Sequence, residues 1–255
     1  MDVGLLRQSA DKKDRGQIAM FNARNKKFMA IDFGKRLNLN VNILPEETKI
    51  ALDFLAGQDW LSKSHNWYLA GGTALALQAG HRKSYDLDFF NKDSSFDNLE
   101  LLVNFKGNKE WEMTINKENT IYGELFGAKV SFIAYPFFVP EAEFIKYGTI
   151  NILAAPDIAV MKIIAISQRG RKRDFIDLYW CAKNVEPLEE TIKRLKKQYP
   201  SVAHDYHHIL KSLAYFEDAE HDTDPELNFK ANWQEVKKYF ANEVPQIMKK
   251  IMDLK

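Results

Sequence analysis

Two aspartates, Asp86 and Asp88, stand two residues apart in a stretch (85–90) where aromatic or aliphatic residues alternate with acids. That alternation is the period-two pattern of a strand with one polar face, which points both carboxylates the same way. Two acids so held can bind Mg²⁺ (or Mn²⁺), which takes few protein ligands and fills its other positions with water and phosphate oxygens. With a pair of ions they could activate an attacking oxygen and stabilise a leaving pyrophosphate. Upstream, Gly71, Gly72 and Thr73 separate an apolar run, Trp67 to Ala70, from a run of helix formers. A side-chain-free turn at a helix N-terminus lets phosphate approach unpaired N–H groups and the positive end of the dipole. A phosphate turn followed by a metal-binding acid pair makes a triphosphate site. Taken singly, each feature has a plain alternative, surface ion pairs for the acids and a tight structural turn for the glycines.

Periodicity and punctuation supply the elements that position these groups. Pro45-Glu46-Glu47 opens a helix to about Leu61, with proline in the first turn and acids at the positive dipole end. A strand at 67–70, a helix at 73–78 ending at Gly80, and the acid strand at 85–90 follow. A helix is expected at 94–105, capped by Ser94 or Ser95. Strands are expected at 111–115, 120–126, 129–134 and 149–153. Beyond Pro156 the pattern turns helical, over 156–168, 171–184, 187–199, 202–217 and 233–252. Three regions result: an appended arm (1–44), a mixed α/β domain (45–155) and a helical domain (156–255) that completes the site.

Composition bounds the class without naming a function. The 255 residues are 45% hydrophobic and 28% charged, as in ordinary globular proteins. A net charge of +1 gives no global case for nucleic acid, so local charge must decide. The single cysteine, Cys181, excludes an intrachain disulfide and sits in an apolar run, as a small buried hydrophobe would. Residues 1–36 are too often interrupted by charge to form a signal-peptide core, and no apolar run reaches membrane-spanning length. A cytoplasmic protein with no membrane partner is expected.

The spacing of glycine turn, helix and Asp-x-Asp strand resembles the polymerase β-like nucleotidyltransferase superfamily. The longer string from Leu69 to Phe90, containing Ala-Gly-Gly-Thr and Ser-Tyr-Asp-Leu-Asp-Phe-Phe, is similar to the AbiEii/AbiGii toxin family of nucleotidyltransferases. A second stretch, from Pro156 to Tyr179, carries the Lys, Arg, Arg-Asp and Asp-Leu-Tyr features of that family's later motifs. The resemblance implies an α+β fold, a mixed sheet flanked by helices, joined to a C-terminal helical domain. It implies a metal-dependent enzyme moving a nucleotide from NTP to an acceptor, tRNA/RNA or protein, as the toxin of an abortive-infection or toxin–antitoxin pair whose antitoxin is encoded separately.

On a helix Lys162 and Arg169 share a face and could grip the triphosphate, with Arg173 and Arg82 nearby as further contacts. Asp174 and Asp177, three apart, could hold those bases in position or help deprotonate the acceptor; Asp177 is the candidate base. An ion-pair network between two helices is the alternative for Lys162, Arg169, Asp174 and Asp177; for Arg82, which could contact the triphosphate or the nucleobase, the alternative is a surface role. Many superfamily members carry a third carboxylate on a later strand, where this sequence has Ser131; Asp157, Asp174 or Asp177 are the possible substitutes. His81 is read as structural or as a cation at a helix C-terminus. The group His204, Asp205, His207 and His208 matches no closed metal-site spacing. Bases interleaved with aromatics on the C-terminal helices (Lys193-Arg194, Lys196-Lys197, Lys237-Lys238, Lys249-Lys250) form either a rim for RNA or solvated faces. A small-molecule nucleotidyltransferase would share the first motif but need an acidic acceptor pocket, and a non-catalytic NTP-binding module would keep the fold without turnover.

Overall fold

A computed structural model describes residues 39–63 and 66–253. The arm expected over 1–44 lies outside the described residues as far as residue 38. From Leu39 onward the sheet and the helices belong to one unit.

After a short 3-10 turn at Val41–Ile43, helix α1 (Glu46–Ala56) begins behind Pro45 with Glu46 and Glu47 in its first turn. It stops earlier than its periodicity suggested, because the chain turns at Gly57 and restarts as the short α2 (Asp59–Lys63). Strand β1 (Trp67–Ala70) is buried along its whole length and runs directly into α3 (Gly71–Ala79), so the glycines form the first helical turn rather than a free loop. Gly80, at φ +61°, closes α3 by donating its N–H to Ala76. Strand β2 (Leu87–Asn91) turns Leu87, Phe89 and Asn91 into the core and leaves Asp88 and Phe90 partly open on the other face. Helix α4 (Asn98–Val103) is capped by Asp97, whose carboxylate accepts from the N–H groups of Leu99 and Glu100, not by the serines expected there.

Strands β3 (Trp111–Lys117), β4 (Thr120–Leu125) and β5 (Ala128–Ala134) form an antiparallel meander, and β6 (Ile145–Tyr147) and β7 (Ile150–Ile152) a short hairpin. The sheet order is β3-β4-β5-β2-β1-β7-β6, with β2/β5 and β1/β7 parallel and the remaining pairs antiparallel. This is the mixed sheet flanked by helices that the sequence predicts. Helix α5 (Ala155–Arg169) packs against α3 and against α6 (Lys172–Asn184), α7 (Leu188–Gln198) and α8 (Tyr206–Leu213). The expected helix at 202–217 is really α8 and a separate short α9 (Glu217–Glu220), and α10 (Trp233–Asp253) packs on α6 and α8. No helix of the described residues is long and apolar enough to cross a membrane.

Candidate active site

A cavity of about 580 Å³ opens between the sheet and α5. It gathers Gly71, Gly72, Arg82, Asp86, Asp88, Lys162, Arg169 and Arg173 on its walls, all of them drawn from the two sequence motifs. Two features of the acid pair differ from the sequence pattern. Asp86 precedes β2 instead of lying on it, because pairing begins at Leu87 with Val130 while the residues before it are pinned elsewhere. The Thr48 hydroxyl donates to the Tyr85 carbonyl, and the Thr73 hydroxyl to the Asp86 carbonyl. Thr73 is therefore a buried fastener between α3 and the acid segment, with Ser84 Oγ 2.9 Å away, and its side chain does not reach the cavity as expected for a phosphate contact.

Asp88 stands between two neighbours. Its Oδ1 accepts from Ser131 at 2.8 Å, and its Oδ2 lies 3.0 Å from where a Cβ on Gly71 would be. Gly71 has φ +72°, so a side chain there would be both strained and pressed into the carboxylate. Burial, and then the charge of Asp86, raise the Asp88 pKa against the lowering effect of the Ser131 hydrogen bond. Asp86 is more open and faces Arg173 at 3.5 Å. Ser131 occupies the position directly opposite Asp88 in the parallel ladder. The possible third carboxylates do not replace it. Asp157 is wholly buried, taking the N–H groups of Glu141 and Ala142 together with Arg194 and Gln198. Among the described residues no group of three or more His, Cys, Asp or Glu is placed to hold a metal ion.

Beneath the cavity floor lies a buried charge network. Asp177 accepts from Arg82 Nε (2.6 Å) and Nη2 (2.8 Å), from Lys162 Nζ (2.7 Å) and from His81 Nε2 (2.8 Å). Asp174 accepts from Lys162 Nζ at 2.6 Å and Arg169 Nε at 3.1 Å. Both aspartates are fully buried. Burial alone would raise their pKa values, but the Arg82 and Lys162 charges outweigh it at Asp177 and hold that group well below the carboxylate range, while Lys162 and Arg169 hold Asp174 low. The candidate-base role of Asp177 is thereby corrected: a carboxylate with no opening to the cavity, four donors and a depressed pKa does not take a proton from an acceptor. Asp174, expected among the NTP contacts, likewise acts from below by holding the cations.

Among the described residues those cations keep unused donors. Arg82 spends Nε and one hydrogen of Nη2 on Asp177 and one of Nη1 on the Lys83 carbonyl, leaving one N–H on each terminal nitrogen. Lys162 gives two of its three hydrogens to the aspartates. A Cβ on Gly72 would fall 2.4 Å from Arg82 Nη2, so the second glycine is what admits the guanidinium against the helix start. Arg169 and Arg173 are half exposed at the rim.

Several contacts escaped the sequence. The polar stretch near 225 straps the Arg82 segment: Lys83 N–H donates to Glu226, Asn228 N–H to His81, and Arg82 bridges Leu227. His81 is buried, as a structural residue. Asp205 caps α8 by accepting from the His208 N–H, and His204 and His208 contact carbonyls, so that group is structural. The interleaved bases of the late helices form ion pairs with acids, Lys193 with Glu189 and Glu190, Arg194 with Glu186, Lys237 with Glu220 and Lys250 with Glu189.

The family model described as "Nucleotidyl transferase AbiEii toxin, Type IV TA system" matches residues 53–250. An uncharacterized protein of Aquifex aeolicus is 34% identical over 209 residues, covering 80% of this chain and 98% of its own length. Among solved structures, JHP933 from Helicobacter pylori is 20% identical with a TM-score of 0.46, covering 83% of this chain and 96% of that one. MenT4, the nucleotidyltransferase toxin Rv2826c of Mycobacterium tuberculosis H37Rv, is 19% identical with a TM-score of 0.46, covering 79% and 86%. With both motifs facing one cavity and the family match running from residue 53 to residue 250, the chain belongs to the AbiEii nucleotidyltransferase toxins of type IV toxin–antitoxin systems and is a nucleotidyltransferase.

Proposed function

We propose that the cavity takes a nucleoside triphosphate with Mg²⁺ or Mn²⁺ on Asp86 and Asp88, and transfers its nucleotide to the 3′ hydroxyl of an RNA such as tRNA. The observation that carries this reading is the meeting of the acid pair, the helix start at Gly71–Gly72 and the cationic side chains Arg82, Lys162, Arg169 and Arg173 in one cavity. The residues fit one divalent ion: burial and the charge of Asp86 oppose ionisation of Asp88, an imbalance that a cation offsets, and the rest of its coordination falls to water and phosphate. When bound, the ion neutralises charge on the reacting phosphate oxygens. The spare N–H groups of Arg82 and Lys162, with Arg169 and Arg173, receive the β- and γ-phosphates.

In the transfer the acceptor oxygen forms a bond to the α-phosphorus while the bond from that phosphorus to the bridging oxygen breaks. Pyrophosphate leaves with the electron pair, and the hydroxyl proton passes to water in the cavity. The cation-rich wall suits a polyanionic acceptor better than a polycationic small molecule, whose pocket would need to be acidic. The family's pairing with an antitoxin, action in the cytoplasm and a part in abortive infection complete the proposal.

Incubation with labelled NTPs, Mg²⁺ and total RNA tests it. The chain labels RNA, chelation of the metal stops labelling, and Asp86→Ala loses transfer while its melting temperature is kept. Undiminished labelling by that variant refutes the site.

A further inference from the structure

The sheet extends a row of side chains away from the acids. Asp88 pairs with Ser131 across β2 and β5, Ser131 with Tyr122 across β5 and β4, and Tyr122 with Ile115 across β4 and β3. Directly paired residues share a face, so Asp88, Ser131, Tyr122 and Ile115 form one row, and all four line the cavity. Ile115 joins it only through an irregularity in β3. Counting on from the pair Met113–Gly123, a regular ladder would set Thr114 opposite Tyr122; the extra residue turns Ile115 there instead. Tyr122 is 38% exposed and Ile115 40% exposed, an aromatic ring and a branched aliphatic chain left open beside a reaction centre. Among the described residues no other aromatic ring packs on Tyr122.

The direction of this row has a chemical meaning that rests on the function proposed above. Asp88 turns one oxygen to Gly71 and the other to Ser131. Phosphates seated on the helix start and Arg82 put the leaving pyrophosphate on the β1 side of the acids. Attacking and leaving oxygens lie in line in phosphoryl transfer, so the acceptor hydroxyl enters from the opposite, Ser131 side. Whatever carries that hydroxyl lies over Tyr122, two strand spacings or roughly 10 Å from Asp88 along the row. Lys129, exposed on the cavity wall at the start of β5, adds a cation there, with Glu124 across the ladder from it.

We propose that Tyr122, edged by Ile115, stacks the terminal base of a single-stranded RNA acceptor, and that this shelf distinguishes a nucleic-acid end from a protein hydroxyl. Stacking of a base on an aromatic ring changes affinity by a factor of about 5 to 150.

The test uses the full chain with Mg²⁺ and a non-hydrolysable NTP analogue. Binding of 5′-fluorescein RNA hexamers, ending in an ordinary or an abasic 3′ residue, is read by anisotropy, and analogue binding by calorimetry. Tyr122→Ala weakens the ordinary hexamer by a factor in that range, Tyr122→Phe keeps its affinity, and analogue affinity stays constant. The abasic end weakens wild type by the same factor and makes no difference to Tyr122→Ala. Equal binding of both hexamers by wild type overturns the proposal. Loss of analogue affinity in Tyr122→Ala with RNA unaffected overturns it too, assigning the ring to the donor nucleotide. Transfer of label to a protein by a chain that binds neither hexamer overturns it in favour of a protein acceptor. Failure of the underlying function reads differently, as a wild-type chain that does not bind the Mg²⁺-analogue at all.

Discussion

Replacing Asp177 by Asn separates a structural anchor from a catalytic base. The buried network balances Arg82 and Lys162 against Asp174 and Asp177. Asp177→Asn keeps the shape but leaves one positive charge uncompensated, and turns an amide N–H₂ toward donors that had an acceptor. Removing one partner of a buried pair costs about 3–5 kcal/mol. At about 2–4 °C per kcal/mol for a chain of this size, the melting temperature falls by roughly 6–20 °C. Lys162→Met, Asp177→Asn restores the balance with one charge of each sign, so the double variant is more stable than the sum of its parts by about 1–3 kcal/mol. Urea melts of wild type, both single variants and the double variant close the cycle. An Asp177→Asn protein that melts like wild type yet has lost transfer would refute the anchor and reinstate Asp177 as a base. Additive single effects would refute the charge-balance argument.

Gly72→Ala should act through Arg82. The new Cβ forces Nη2 aside and breaks one arm of its fork on Asp177, a net cost of about 1–2 kcal/mol after the helical preference of alanine is offset. Calorimetry should show NTP affinity falling, and an unchanged affinity would mean that Arg82 does not touch phosphate. Acid should destabilise the fold through Asp174 and Asp177. Both have folded pKa values below the usual 3.8, so their stabilisation is complete above that value and is lost as the pH falls beneath it. Asp88, with a raised pKa, contributes with the opposite sign. Melting temperature followed downward from pH 5 should drop for wild type and flatten for Asp177→Asn; parallel curves would rule out Asp177 as the source.

The order of most elements was legible in the sequence, because faces are written in local periodicity. Partners are not. Asp88 and Phe90 alternate with core residues, so their shared face was legible, but whether pairing starts at residue 85 or 87 depends on β5, more than forty residues away. The three residues of β6 are too few to show a period, and α1 ends at a glycine turn that its apolar spacing does not reveal. The partner of Arg82 lies 95 residues along the chain, and nothing near Arg82 or Asp177 announces the other. The turn of Ile115 into the cavity arises from a mismatch between two strands, a property that neither strand has alone.

Under the proposed function, the two readings that the sequence left open for Lys162, phosphate grip or ion pair, do not exclude each other, and the same holds for the buried pair of Arg82 with Asp177. A lysine or arginine loses much side-chain entropy when it clamps a ligand, and an isolated buried cation is costly. Asp174 and Asp177 remove both penalties before substrate arrives, by fixing each cation while using only some of its donors. The hydrogens left over belong to groups already desolvated and oriented, where an added phosphate meets a stronger field than it would at a mobile surface base. On that proposal, an NTP does not have to break the network to use it. If the proposed function holds, the contributions of Asp177 to stability and to NTP affinity cannot be separated by removing its charge. They separate only when the charge balance is restored without restoring the position of Arg82.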